Sequence, residues 1–511
     1  MRIATNVSAI VSNNALQKSQ DRLTKSIARL SSGYKINSSS DDAAGYAISE
    51  KMRLQLRGLN QADNNAADGV SVLHTAEGAM EEIQSMLARM KELSVQAANG
   101  TNSVDERSAI QSEIDSLNSE IDRISSNTEF NSQTLISGNL SRRVYSNYEG
   151  VNQIEVSDNF VAGNYGITIT QDARQAIVVG NGAVTMSDTA TVTKEQAGTI
   201  SMNGYGIEIS EGDTLAGIMG KLVDGADKIG GRVFAITAGA TNDTKVNGTD
   251  YAGYEPQTSY AGNNIVFMTK ESGSSKTMNI TCSNAELANM LGIATAATNS
   301  GMYAEGSDVQ AEFTLDNDGK RVGFADSAVI STSGTRVTVK DVNNRTFVTD
   351  VPSNVAGTQF SDTAKADDKS TATSTQTAKV TQEVTDVGTM SVHVGANENQ
   401  VILIDIPAVT SYTLGTENLN VMTSVTASEA IDTIDTAVAY ANRVRSQMGA
   451  YENRFEHTTN NLGTASENLT SAISTMTDTD MAEEMTEYTS LNVMTQAATS
   501  ILAQANERPS T

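Results

Sequence analysis

The 511-residue sequence contains no tryptophan, four prolines, three histidines and one cysteine. A single cysteine, Cys282, excludes an intramolecular disulfide framework and a cysteine-rich metal site, and we expect it to be a small buried core residue. The histidines at 74, 393 and 457 have no H-E-x-x-H neighbourhood, so a zinc-peptidase site is unsupported. The scarcity of proline favours long uninterrupted helices. No catalytic, metal or cofactor site is predicted.

Positive charge is also scarce, because 35 Lys and Arg face 61 Asp and Glu and the formal net charge is −26. Phosphate binding needs clustered cationic side chains, so nucleic acid is not an expected partner. No stretch approaches the roughly eighteen apolar residues of a membrane span, and no basic segment followed by an apolar run opens the chain. Membrane insertion and a Sec-type signal peptide are not expected, and composition alone indicates a cytoplasmic protein.

Apolar residues recur at helical spacing at both ends of the chain. The N-terminal set is Ile3, Val7, Ile10, Leu16, Leu23, Ile27 and Leu30, and the C-terminal set is Met481, Met485, Tyr488, Leu491, Met494, Ala498, Ile501, Leu502 and Ala505. Two such helices bury too little apolar area to offset about 1–2 kcal/mol of backbone ordering per residue. Residues 1–45 and 478–511 are therefore predicted to be arms that fold on association with further copies.

The first helical pattern is separated from the next by a polar stretch. Gly33 can adopt the left-handed conformation that ends a helix, and residues 38–41 offer side-chain oxygens to cap the following one. The pair Asp41-Asp42 resembles a metal or acid–base pair, but its position just before a helix favours capping.

A helical bundle is predicted for residues 46–143 and 421–477. Heptad spacing is clearest at Ile110, Ile114, Leu117, Ile121 and Ile124. The C-terminal segment carries matching residues at 431, 434, 438, 441, 448, 451 and 455, which predicts an antiparallel partner. Residues 1–60 have nine Lys and Arg against four Asp and Glu, whereas 421–511 have four against twelve, and this favours their lying side by side.

The middle of the chain has alternating periodicity, which predicts strands and hairpins. We expect a β-hairpin region to about residue 175 and outer β-rich domains over 176–420. Strands are predicted at 165–170, 199–202 and 265–268, hairpins turning at 317–319 and 343–344, a helix at 214–222 and an exposed linker at 361–381. The fold class is multidomain α+β, with a long antiparallel helical bundle or coiled coil formed by both termini and β-rich domains inserted between them.

Four segments resemble the amino-terminal signature of bacterial flagellins. They are RIATNVSAI at 2–10, LSSGYKINSSSDDAAGYAIS at 30–49, ELSVQAANGTNS at 92–103 and FNSQTLISG at 130–138. The resemblance extends over roughly 1–143 and 421–511. In addition, residues 198–293, ending in AELANMLGI, are similar to the insertion module of flagellin outer domains.

The resemblance implies a structural, non-enzymatic subunit that self-assembles into the bacterial flagellar filament for swimming motility. It also implies secretion through the flagellar type III apparatus and an extracellular location in the flagellum. Implied partners are further copies of the chain, hook-associated junction and cap proteins, and an export chaperone at the C-terminal arm. Together with the apolar stripes, it assigns filament assembly to Ile3, Val7, Ile10, Leu23, Ile27, Leu30, Met485, Leu491, Met494, Ile501 and Leu502.

A further implied partner is a flagellin-sensing Toll-like receptor of the host. The family's recognition segment falls on Arg89 and Leu93 in MLARMKELSVQAANGT and on Glu113 in IQSEID. Arg89 and Leu93 are four residues apart, which places them on one helix face.

Two alternatives remain open. A hook–filament junction protein shares the terminal helices, but the long match at both ends and the RIATNVSAI opening favour flagellin. A surface-displayed enzyme or adhesin on flagellin-like arms would need a catalytic constellation in residues 144–420, and the sequence contains none.

Overall fold

A computed structural model of the protein describes residues 6–157, 160–237, 260–293, 302–316, 318–342, 345–353 and 377–507. The chain divides into two compact units. The first contains the described parts of 1–71, 391–402 and 452–511, and the second contains those of 72–390 and 403–451. Within these ranges, none of the helices is both long enough and apolar enough to cross a membrane.

The described helices lie mainly at the two ends of the chain. They are α1 Val7–Ser32, α2 Ala43–Ala98, α3 Val104–Asn127, α4 Leu215–Lys228, α5 Ala285–Met290, α6 Ser411–Leu414, α7 Ser424–Thr477 and α8 Met481–Glu507. Gly33 ends α1 in the left-handed conformation, with φ +78°, as its sequence position predicts. Ser103 caps α3, and the Glu106 side chain accepts from the Ser103 amide in return, a capping box that fixes the start of this helix.

The middle of the chain is built from short strands. They are β1 Glu129–Phe130, β2 Gln133–Thr134, β3 Val144–Ser146, β4 Asn152–Val156, β5 Gly163–Gln171, β6 Gln175–Val179, β7 Gly198–Met202, β8 Tyr205–Ile209, β9 Gly231–Thr237, β10 Asn263–Ser272, β11 Thr277–Cys282, β12 Met302–Glu305, β13 Gln310–Phe313, β14 Val329–Ser333, β15 Arg336–Lys340, β16 Thr346–Asp350, β17 Ala378–Val384, β18 Met390–His393 and β19 Val401–Ile404. The larger sheets have the strand orders β6-β10-β9, β12-β11-β7-β8, β13-β5-β17-β3 and β14-β15-β16-β4. Helical termini and a β-rich middle confirm the predicted fold class.

The buried stripe of α3 differs from the predicted heptad. Leu117 and Ile124 are only half-buried, whereas Asn118 and Ser125 are buried beside Ile110, Ile114 and Ile121. Both polar side chains are satisfied by distant carbonyls, because Asn118 Nδ2 donates to Thr416 O at 2.7 Å and Ser125 Oγ donates to Ile136 O at 3.0 Å. Burial of a polar side chain is tolerated where its hydrogen bonds are supplied, and the stripe is rotated accordingly.

The β-rich part of the second unit has two main hydrophobic cores. One, which we call the inserted module, is formed by β6–β12 with α4 and α5, and its fully buried side chains include Ile200, Leu222 and Phe267. The other is formed by β3–β5 and β13–β17 around an aromatic cluster of Phe160, Tyr165, Phe324 and Phe347. The module begins before residue 198, because Ala176 and Val178 of β6 lie in the same core.

The chain enters and leaves the inserted module at one place. Arg174 and Ser307 form an antiparallel bridge, in which Arg174 N donates to Ser307 O at 2.8 Å and Ser307 N donates to Arg174 O at 3.0 Å. The module also contacts the helical part of the same unit. Asn420 Nδ2 donates to Lys228 O at 2.7 Å, and Lys276 Nζ lies 3.8 Å from a Glu429 carboxylate oxygen on α7.

Several local predictions need correction. The predicted helix at 214–222 continues to Lys228, and the strand at 265–268 spans Asn263–Ser272. The hairpin at 313–319 is wrong, because β13 pairs with β5, Phe313 opposite Ile167. Cys282 is half-buried rather than fully buried.

The prediction of a linker over 361–381 was too long at its C-terminal end. Its last residues belong to β17, where Val380 is 1% exposed because β17 is a central strand of its sheet. Residues 361–376, and the turn residues 317, 343 and 344, lie outside the described residues. The hairpin around 343–344 is confirmed by its strands, since β15 and β16 pair antiparallel.

Candidate functional site

Two breaks in the long helices meet in the first unit. The amide of Lys35 donates to the carbonyl of Thr477 at 2.7 Å, and the amide of Thr479 donates to the carbonyl of Gly33 at 2.9 Å. Tyr34 and Asp478 lie opposite each other as an antiparallel bridge. The turn after α1 and the turn before α8 are therefore joined through main-chain atoms.

Asp41 and Asp42 order the turn that precedes α2. Asp42 Oδ1 accepts from the amides of Ala44 and Gly45 at 3.1 and 3.0 Å, which confirms helix capping. Asp41 instead folds the loop, because its Oδ2 accepts from the amides of Asn37 and Ser38. These bonds, that of the Asn37 amide first, hold the pKa of Asp41 below its usual range.

The helices α1 and α8, which we call the terminal pair, pack against each other. Asn6 Nδ2 donates to Ala505 O at 2.9 Å near one end. Farther along, Arg22 donates to Glu487 at 2.9 Å, and Arg29 lies 3.6 Å from Glu484. These ion pairs agree with the opposite charge balance of the two ends of the sequence, although the stripe analysis did not single out these four charged residues.

The terminal pair buries few side chains. In α1 the buried residues are Leu16 and Ser26, and in α8 they are Glu484, Leu491 and Ala505. Leu23, Leu30 and Leu502 are half-buried. Leu491, predicted to be exposed, is 1% exposed, so it stabilises the pair itself.

Most of the predicted assembly residues in the described part of the arms remain on the surface. The exposed apolar side chains include Val7, Ile10, Ile27, Met485, Met494 and Ile501, and Ile501 is 56% exposed. Val11 and Val493 are exposed too and were missed, although Val11 continues the spacing of Val7 by four residues. Ile3 lies outside the described residues.

A second surface lies where α2 and α3 run side by side in the second unit. Arg89 Nε donates to Glu113 Oε1 at 2.9 Å, and a second guanidinium nitrogen is 2.8 Å from the same oxygen. Glu92 lies 3.3 Å from Arg89 on the other side. The hydrogen bond from Glu113, and then that from Glu92, raises the pKa of Arg89, whose side chain is half exposed.

Leu93 does not share this surface. It is 2% exposed and belongs to the core of the helices, so the prediction that Arg89 and Leu93 lie on one exposed face is corrected. Residues four apart differ by about 40° around a helix, which is enough to place one at the rim and the other inside. Of the three predicted receptor residues, Arg89 and Glu113 are at the surface and are brought together.

The chain matches two protein-family models at its ends. The bacterial flagellin N-terminal helical region matches residues 3–141, and the bacterial flagellin C-terminal helical region matches residues 431–511. A flagellin of Clostridium tyrobutyricum is 31% identical over 510 residues, covering 98% of each chain. A flagellin of Salmonella typhimurium is 30% identical over 539 residues, covering 99% of this chain and 98% of that one.

Proposed function

Because the chain belongs to the bacterial flagellin family and is a structural subunit of the flagellar filament, we propose that the terminal pair supplies the contacts that hold neighbouring subunits together. The observation that carries this proposal is the exposed apolar surface of α1 and α8. Val7, Ile10 and Ile27 on α1 and Met485 and Ile501 on α8 are each about half exposed or more. Contiguous exposed apolar side chains favour association.

These side chains are distributed around α8 rather than along one line. Met494 and Ile501 are seven residues apart and share a face, whereas Met485 is sixteen residues before Ile501 and points in a different direction. Covering both faces requires contacts on more than one side of the helix. A filament, in which each subunit has several neighbours, satisfies this requirement better than a dimer does.

Truncation tests the assignment of assembly to the arms. Deletion of residues 1–35 or of residues 478–511 should leave a folded, soluble monomer, because buried residues such as Met80, Ile114 and Ile434 form a separate helical core. Electron microscopy after addition of a polymerising salt would show filaments of the full chain and none of either deletion. Filaments from either deletion would contradict the proposal.

The same exposed side chains require protection before assembly. We propose export through the flagellar type III apparatus with a chaperone that binds α8, and further contacts of the assembled chain with hook-associated junction and cap proteins. Co-purification of the chaperone should be lost when residues 478–511 are removed. If the shortened chain retains it, the chaperone binds elsewhere.

A second proposed function is recognition by a flagellin-sensing Toll-like receptor of the host through Arg89 and Glu113. The half-exposed ion pair between α2 and α3 supports it, because an arginine held by Glu113 and Glu92 presents its planar group in a fixed orientation. Leu93 acts from below by holding this part of α2 in place. Helices of this kind also contact neighbouring subunits, so the receptor should bind monomers and not intact filaments.

The proposed role involves no catalysis. The family's structural function supports this, and the middle of the sequence contains no recognised catalytic motif. Assays of the secreted protein for peptidase and glycosidase activity would test it, and turnover lost on a single substitution in residues 144–420 would contradict it.

A further inference from the structure

A groove lies between α2 and α7 within the first unit. Its volume is about 530 Å³, and its walls include Leu59 and Asp63 of α2 with Leu462 and Glu467 of α7. A side chain at Gly463 would meet no atom within 4 Å, so the groove is open beside this residue. Ser466 Oγ donates to Asn60 Oδ1 at 3.2 Å across the groove and joins the two helices.

The groove contains negative charge that the described part of the chain does not neutralise. Asp63 Oδ1 is buried and, among the described residues, has no hydrogen-bond donor. Glu467 lines the same groove and is exposed, and neither carboxylate forms an ion pair with any described cation. A buried carboxylate oxygen without a donor is unfavourable, and an arriving cation would remove that cost.

The complementary charge lies on α1. Lys18, Arg22, Lys25 and Arg29 follow one another at four, three and four residues, so they form one stripe along this helix. Arg22 and Arg29 are engaged with α8, as described above. Lys18 and Lys25 are exposed and form no hydrogen bond or ion pair within the described ranges.

We propose that the groove binds Lys18 and Lys25 of α1 from a second copy of this chain. This inference rests on the proposal that the terminal arms mediate assembly, and it names one contact between subunits. The two lysines are about 10 Å apart along the helix axis, and residues 462–474 of α7, which line the groove, span about 18 Å. Both lysines therefore fit within its length, with their methylene groups against Leu59 and Leu462 and their ammonium groups at Asp63 and Glu467.

The choice of a second copy follows from charge and position. The first 60 residues carry an excess of five positive charges, nine against four, and the segment 421–511 an excess of eight negative ones, twelve against four. Within one chain, α1 packs on α8 and leaves Asp63 without a donor. An identical subunit provides the missing cations and in turn offers its own groove to the next subunit, a head-to-tail contact of the kind that builds filaments.

Zero-length cross-linking of the unmodified protein tests this contact. Subunits with light and heavy isotopes would be mixed, polymerised and treated with a carbodiimide, which joins a lysine amine to a carboxylate only when they are in contact. Mass spectrometry should find Lys18 or Lys25 joined to Asp63 or Glu467 in mixed-isotope peptides from filaments, and not from monomers. Other lysine–carboxylate links between subunits in the absence of these would overturn the proposal.

Charge reversal gives an independent test. Asp63→Lys should raise the critical concentration for polymerisation at least about tenfold, because the groove would then face like charges. Lys25→Glu should do the same, and the two changes in one chain should recover much of the loss. The matched control is Asp68→Lys, an exposed acidic residue on the same helix, which should polymerise as the wild type does.

The outcomes separate this inference from the proposal beneath it. If Asp63→Lys polymerises like the wild type, the groove contact is wrong even though the arms still drive assembly. If the arm deletions form filaments, the assignment of assembly to the arms is wrong as well. Circular dichroism of the monomers identifies a variant that fails to fold, and the cross-linking result then decides alone.

Discussion

Leu491 and Ile501 lie ten residues apart on the same helix, and yet Leu491 is 1% exposed whereas Ile501 is 56% exposed. The sequence presents them as equivalent members of one apolar stripe. In the folded chain, Leu491 is covered by the terminal pair itself, and Ile501 remains uncovered. The same residue type pattern therefore contains one position that stabilises the subunit and one that is available to its neighbours.

This difference predicts opposite behaviour for two carboxylate substitutions. Ile501→Asp should leave the thermal stability of the monomer nearly unchanged and abolish polymerisation, because burying the charge between subunits costs several kcal/mol. Leu491→Asp should lower the stability of the terminal pair first, by roughly the 2–5 kcal/mol of a lost core side chain or more. Circular dichroism of monomers and light scattering during polymerisation distinguish the two. Normal filament growth by Ile501→Asp would contradict the assignment.

Arg89→Ala should weaken binding of the monomer to the receptor ectodomain at least about thirtyfold, as expected for a central arginine in an interface. Arg123→Ala is the matched control, since Arg123 forms a similarly exposed ion pair with Glu120 on α3. Surface plasmon resonance would measure both affinities. Equal losses for the two variants, or binding by intact filaments, would remove Arg89 from the site.

Gly33→Ala should destabilise the junction between α1 and the turn by about 1 kcal/mol, because the left-handed backbone is unfavourable for a residue with a Cβ. No neighbouring atom lies within 4 Å of the added Cβ, so backbone strain is the sole expected cause. Gly78→Ala, inside α2 and equally free of neighbours, should stabilise the helix by roughly 0.5–1 kcal/mol. Thermal unfolding of both variants would show shifts of opposite sign.

Acid should loosen the turn that Asp41 orders. Its pKa in the folded chain is lowered, chiefly by the Asn37 amide, so its stabilising contribution is full above the unfolded value of about 3.9 and is lost as pH falls through the folded value. Hydrogen exchange of the Asn37 and Ser38 amides should therefore gain protection as pH rises through this range, once corrected for intrinsic rates. Asp41→Asn should remove that dependence, and an unchanged pH profile would show that the carboxylate is not responsible.

Helix boundaries were predictable because their causes are local. Gly33 ends α1 and Ser103 begins α3 through interactions with residues at most four positions away. The identity of the buried face was less predictable. Asn118 is buried because a carbonyl nearly three hundred residues later accepts its hydrogen bond, and no periodicity within α3 contains that information.

The candidate surfaces show the same division. The sequence correctly brought Arg89 near Glu113, since the turn after α2 returns the chain along the same helix. It did not place Leu93 inside, because a four-residue spacing is compatible with either position at the edge of a buried stripe. Strand pairing was the least predictable feature: Phe313 lies opposite Ile167 rather than the strand that follows it.

The bridge between Arg174 and Ser307 means that the inserted module hangs from two adjacent points of the backbone. A chain in which a short glycine linker joins these two residues would keep the remaining β core intact, losing only the contacts of Lys228 with Asn420 and of Lys276 with Glu429. The module is thus a detachable piece. Genes for such a chain can gain, lose or exchange the whole segment in one recombination event, and a foreign domain with closely spaced ends can be grafted in its place.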